Sequence, residues 1–234
     1  NLDEVRDLAD GALDQMGLSK SLRNSEFLLN HLKALSGRLA MRLTTGSQLG
    51  SATSELIALA ISHASCQKAA ESHDTWVSLK TGFLVPVDDV PDLLPTYSDM
   101  GTTEEDEDPL SQHGNVRPDL IHVSITPRRG LCFRFIEVKN RRVLSTARNQ
   151  NLISGIQGQT EGLRKRWSDW YMAEDVPPSF RSIRLAKLAR VLRFYADKAH
   201  RYYMNDADHQ AIISEIDKML EKGVEYQFGG IPQP

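Results

Sequence analysis

Leucines recur at steps of three and four through EFLLNHLKALSGRLAMRL, where Leu28, Leu29, Leu32, Leu35, Leu39 and Leu43 fall on one side of a 3.6-residue helix. The pattern predicts helices over residues 3–16 and 24–44. The polar stretch TTGSQLGSATS interrupts it, and Ser51, Thr53 or Ser54 can cap a further helix from about Glu55 to Ala70. In that helix Leu56, Leu59, Ala60 and Cys66 recur at helical spacings. Glu55 falls at its start, where the helix dipole favours an acid, so it has a structural reason to be there as well as a chemical one.

From Trp76 the texture turns β-branched and aromatic, and WVSLKTGFLVPVDD predicts a strand that ends at Asp88 and Asp89. Pro86 belongs at the end of such a strand or on a sheet edge. The following VPDLLPTYSDMGTTEEDEDPLSQHGN is Pro-punctuated and acidic, with five consecutive carboxylates from Glu104 to Asp108. It reads as an exposed loop, since a calcium loop needs spaced ligands and a turn glycine. RPDLIHVSI and LCFRFIEVKNRR, separated by TPRRG, predict an antiparallel hairpin. Helical periodicity then returns from about Thr146 through Leu152, Ile156, Leu163 and Trp167 to Met172. After the Pro177-Pro178 break, residues 182–204 and 208–223 predict two more helices.

The fold class is therefore α/β, of the mixed α+β kind. Residues 1–50 read as a helical region packed on a core over 51–172, and residues 179–234 as a helical extension. A chain of 234 residues that is 40% hydrophobic and 25% charged can bury a real core. Asn1 in place of a starting Met, and an end at VEYQFGGIPQP where a strand-like pattern begins, read as a segment of a longer protein. No run approaches the roughly 18 apolar residues of a membrane span, so the expected location is cytoplasmic. Cys66 and Cys132 have neither CxxC nor zinc-type spacing and are expected to be free thiols.

The net charge of -3 hides a strong asymmetry. Residues 1–116 carry 8 basic and 18 acidic side chains, residues 117–201 carry 18 and 7, and the remainder carry 2 and 6. The central block suits a polyanion, because cations near phosphates release condensed counterions, although a solvated charged face has the same composition.

The chemistry concentrates in Pro118-Asp119, then seventeen residues, then Glu137-Val138-Lys139. Residues two apart on a strand share a face, so Glu137 and Lys139 point together. Phe133, Phe135 and Val138 make the strand apolar enough to be central, where charges must be paired, hydrated or bound to metal. Asp119 opens the neighbouring strand and can approach Glu137 across the hairpin. Such hard oxygen donors suit Mg²⁺ or Mn²⁺. A Glu-x-Lys pair alone is common; the preceding Pro-Asp and the hairpin give it meaning.

RPDL…FRFIEVKNRR resembles the core motif of the PD-(D/E)XK nuclease superfamily. The resemblance implies a restriction-endonuclease-like core of helix, three-stranded meander, helix and further strand, which residues 51–172 follow in order. It implies a divalent-metal-dependent DNA endonuclease, with Asp119, Glu137, the carbonyl of Val138 and Glu55 around the metal. Lys139 would act on the attacking water. A glutamine on the helix after the Lys strand is matched by Gln157 or by Gln159, the latter nearer the core stripe. No clear fourth strand follows that helix, unless it is short or VEYQFGG supplies it. SGRLAMRL, SELIALA and LARVLRFYADKAHRYYM are also similar to nuclease domains joined to helicase or translocase ATPases in bacterial restriction and anti-phage defence, which implies such a partner.

Arg128, Arg129, Arg141, Arg142 and Arg148 flank the proposed site, and Arg164, Lys165 and Arg166 cluster on the next helix, as candidates to grip DNA phosphates. Arg181, Arg184, Lys187, Arg190 and Arg193 recur every three residues and so wrap around their helix, which requires some of them to pair within the protein. Besides the nuclease, two further readings are open: an inactive nuclease-fold module that binds DNA or a partner subunit, and a helical scaffold that leaves the charged hairpin unexplained. GxxxxGK[ST], GxSxG and HExxH motifs are lacking, and His122, alternating with Ile121 and Val123, reads as structural.

Overall fold

The computed structural model describes residues 7, 9–11, 13, 14, 17–45, 51–69, 77–94, 118–126, 130–138, 146–173 and 176–229. By its internal contacts the chain divides into two units, residues 1–80 with 138–141, and residues 81–137 with 142–234.

In the first unit, Ser21 caps α1 (Leu22–Leu35) by accepting a hydrogen bond from the Asn24 N–H. The helix expected over 24–44 is broken at Ser36, whose backbone is extended. Ser36 serves both sides of the break. Its N–H donates to the Leu32 carbonyl and closes α1, while its Oγ accepts from the Arg38 N–H and opens α2 (Gly37–Thr45). Helix α3 (Ser51–Ala69) starts ahead of Glu55, so the expected caps lie inside it and Glu55 belongs to its second turn. Leu28, Leu32, Leu35 and Leu39 are buried, as are Leu56, Ile57, Leu59 and Ala60 of α3, which packs on α1. Between these helices the Nδ1 atoms of His31 and His63 lie 2.8 Å apart, so one ring donates and the other accepts. Burial lowers the His31 pKa.

The second unit is built on an antiparallel sheet of β1 (Gly82–Pro86), β2 (Leu120–Thr126) and β3 (Gly130–Ile136), in that order. Pro86 ends an edge strand, where a missing N–H is tolerated. The hairpin of β2 and β3 is as expected. In its register Leu120 lies opposite both Pro86 and Ile136, and Val123 opposite both Phe83 and Phe133. Phe83, Val85, Ile121, Val123, Leu131 and Phe133 form one apolar face.

Three helices join this face to make the core: α4 (Thr146–Tyr171), α5 (Pro178–Tyr202) and α6 (Asp206–Lys222). Their contributions include Leu163, Trp167, Leu188, Leu192, Ile212 and Ile216. The segment expected as an extension over 179–234 therefore supplies part of the core itself. Trp167 is almost fully buried, with ring centroids 4.5 Å from Phe133 and 4.5 Å from Tyr171. Deleting an aromatic ring from such a site costs about 3–5 kcal/mol.

The opposite face of the sheet is also buried, and it is where the polar residues sit. Arg134 Nη1 donates to Ser124 Oγ at 3.1 Å and lies 3.4 Å from His122 Nδ1. His122 is buried, in keeping with a structural role. A Cβ at Gly82 would stand 2.6 Å from both the His122 Nε2 and the Val123 carbonyl, so only glycine fits there.

The expected further strand is replaced by something looser. The Gly229 N–H donates to the Leu131 carbonyl at 2.8 Å, and the Tyr226 hydroxyl accepts from the Leu131 N–H at 2.9 Å while donating to Glu215 Oε1. Phe228 meets Phe133 edge-on. The segment Tyr226–Gly229 thus lies along the edge of β3 and is held there partly by a side chain. Among the described residues the sheet has three strands, and the class is mixed α/β.

A candidate carboxylate pair at the end of the hairpin

Asp119 directly precedes β2 and is held by its own carbonyl, which accepts the Val87 N–H at 3.1 Å. Glu137 directly follows β3. The last pair of the ladder is Leu120 with Ile136, so Asp119 and Glu137 each stand one residue beyond it on adjacent strands. Alternation carried one residue past each strand would put both on the side of Ile121 and Phe135, the apolar side covered by α4. Both carboxylates are half-buried, and each has polar or electrostatic interactions within the protein.

Among the described residues, no group of three or more His, Cys, Asp or Glu side chains is set to hold a metal ion. The donors at this place are two hard carboxylates, followed in the chain by the carbonyl of Val138. That donor chemistry fits Mg²⁺ or Mn²⁺ better than a soft metal. Glu55, the remaining expected ligand, is half-buried on α3 in the other unit.

Lys139, Arg128, Arg129, Arg141 and Arg142 lie outside the described residues. So do the Arg148 side chain and the acidic run from Glu104 to Asp108. On α4 the two glutamines differ. Gln157 is exposed, while Gln159 is half-buried with its Oε1 enclosed and accepting no hydrogen bond among the described residues. An enclosed amide oxygen makes Gln159 the better candidate to face a polar ligand.

The Arg164, Lys165 and Arg166 cluster needs correction. Three consecutive helix residues span about 200° and cannot share a face. Lys165 is exposed and Arg164 half-buried, but Arg166 is completely buried, because it sits between Leu163 and Trp170 on the inner side of α4. It does not present a cation to solvent.

The cations of α5 divide as their spacing requires. Arg181 donates to the Ala173 carbonyl, Arg193 pairs with Asp217, and Arg184 stacks 3.5 Å above the Trp170 ring while donating to the Trp170 carbonyl. Lys187 and Arg190 are exposed.

Two polar clusters had no signal in the sequence, because their members come together only through the packing of separate elements. Tyr195 donates to Asp89 at 3.4 Å, and near them burial brings the Lys198 pKa down to about 8, with Asp89 opposing that shift and Arg201 adding to it. His200 and His209 stack at 4.4 Å, His200 held by Asp206 and His209 by Asp197, and so tie α5 to α6. Cys66 and Cys132 are free thiols, and burial raises the Cys66 pKa. No described helix is long and apolar enough to cross a membrane.

No protein-family model, curated protein or solved structure matches the chain.

Proposed function

We propose that the chain is a divalent-metal-dependent nuclease that hydrolyses DNA phosphodiester bonds at the end of the β2–β3 hairpin. The observation that supports this reading is the β2–β3 pairing, whose last pair, Leu120 with Ile136, is flanked by Asp119 on one strand and Glu137 on the other. Nucleophilic and zinc-dependent hydrolytic motifs are lacking, which leaves these acids as the strongest chemistry in the chain.

Asp119 and Glu137, with the Val138 carbonyl that follows Glu137 in the chain, would hold the cation. When bound, Mg²⁺ or Mn²⁺ supplies positive charge for the scissile phosphate and makes a bound water more acidic. Lys139, two residues beyond Glu137, would orient the attacking water and offset charge developing on the phosphate. The Gln159 amide would hold the same water or a phosphate oxygen. Arg128, Arg129, Arg141, Arg142 and Lys165 would hold flanking phosphates without reading sequence. By the likeness to defence nucleases, other domains of a longer chain, a helicase or translocase ATPase among them, would supply targeting.

The test is cleavage of linear and plasmid DNA with Mg²⁺ or Mn²⁺ and with EDTA. Cleavage is expected only with metal, and Lys139→Ala should lower its rate by about 10²–10³ while DNA affinity stays unchanged. Asp119→Asn should abolish the metal-dependent cleavage. If the parent binds DNA but cuts none under any of these conditions, the chain is a binding module on a nuclease-like frame.

A further inference from the structure

The outer side of α5 carries large apolar side chains that the core does not use. Phe180 is 60% exposed, Ile183 56% and Phe194 62%. With Lys187 and Arg190 they recur at steps of three, four, three and four, so all five fall within about 80° of the helix circumference. Arg201 falls in the same sector. The buried positions Leu185, Leu188, Leu192, Tyr195 and Ala199 lie on the opposite side. This line is therefore turned away from the core.

Charge narrows what can cover it. Helix α5 has seven Lys and Arg residues against one acid, Asp197, and that acid is paired with His209. A second copy of the same face would bring Lys187 and Arg190 against their own counterparts, which like-charge repulsion opposes. The three apolar residues are too few and too widely spaced for a membrane-seated helix, since Phe180 and Phe194 are about 21 Å apart along the axis. Two exposed rings with cations between them match a strand whose bases stack and whose phosphates need neutralising. A duplex hides its base faces, and a single strand offers them.

We propose that the outer face of α5 is a track for single-stranded DNA, with bases on Phe180 and Phe194 and phosphates on Lys187, Arg190 and Arg201. The proposal deepens the nuclease reading by naming the strand-holding face, but it stands on different residues and needs no metal.

Binding of labelled oligo-dT to the full chain is measured in EDTA, so that no cleavage intervenes. The variant Phe180→Ala/Phe194→Ala is expected to bind about tenfold or more weakly, as loss of stacking requires. Phe180→Trp/Phe194→Trp should retain binding. Lys187→Ala/Arg190→Ala should lower the log–log salt slope by about 1.4, at about 0.7 per phosphate contact on a single strand. All four side chains are exposed, and circular dichroism melts identical to the parent's are expected. The proposal is overturned if the alanine variants bind oligo-dT as the parent does. It is also overturned if the face proves to mediate self-association by sedimentation, or to seat on anionic phosphatidylserine vesicles that oligo-dT cannot displace. A parent that cuts DNA while the α5 variants bind normally would sink the track and leave the nuclease standing. Loss of oligo-dT binding in α5 variants of a parent that never cuts would do the reverse.

Discussion

Arg166 and Lys165 are neighbours in sequence with the same charge, and the structure gives them opposite consequences on substitution. Arg166 is completely enclosed and has polar or electrostatic partners within the protein. Its truncation to Ala empties a large buried volume and strands those partners. Large-to-small changes in a core cost about 2–5 kcal/mol, and breaking a buried charged contact costs about 3–5 kcal/mol; the two overlap and do not add. Taking about 3 kcal/mol, and about 2–4 °C per kcal/mol for a chain of this size, Arg166→Ala should melt roughly 6–12 °C below the parent. Lys165→Ala, on the exposed side of α4, should stay within about 0.5 kcal/mol of the parent. Thermal melting by circular dichroism, with DNA titrations over a range of salt, separates the two roles. Lys165→Ala should flatten the salt dependence without moving the melt, and Arg166→Ala should move the melt. An Arg166→Ala protein that melts with the parent and loses DNA affinity would mean that Arg166 reaches solvent, and the packing described for α4 would be wrong.

Two further predictions concern pH. Lys198 titrates near 8 in the folded protein, and an unfolded Lys near 10.4, so the unfolded chain holds more protons between these values and stability rises with pH across that window. Lys198→Met should therefore melt above the parent at neutral pH, by about 2–4 °C once the partly exposed ammonium is discounted to about 1 kcal/mol, and the gain should vanish near pH 10.5; an unchanged gain at high pH would exclude the titration as its cause. His31 has its pKa lowered by burial, so its contribution is present above the unfolded value near 6.5 and is lost as pH falls towards the folded value. Amide protection factors in α1 and α3, corrected for the intrinsic pH dependence of exchange, should fall in that range in the parent, and this acid sensitivity should be lost in His31→Gln.

The sequence determined those elements whose signal is local. Alternation and turn chemistry marked the β2–β3 hairpin, Pro86 marked the end of β1, and leucine spacing marked the helical face of residues 24–44, because strand and helix periods are written directly in neighbouring residues. The pairing of the strands that carry Asp119 and Glu137 at their ends was legible for the same reason, since a hairpin register follows from its two strands. Tertiary structure decided the rest. Ser36 breaks a helix that the leucine pattern would carry through, because its own side chain and backbone satisfy the ends on either side. The helices of residues 179–222 could not be placed by periodicity, which says that a face is apolar but not what it meets; they meet the sheet and complete its core. The same limit hid the burial of Arg166 and the meeting of Asp89 with Tyr195 across more than a hundred residues. Charge and spacing along a chain are one-dimensional quantities, whereas burial depends on which segments return to cover a residue.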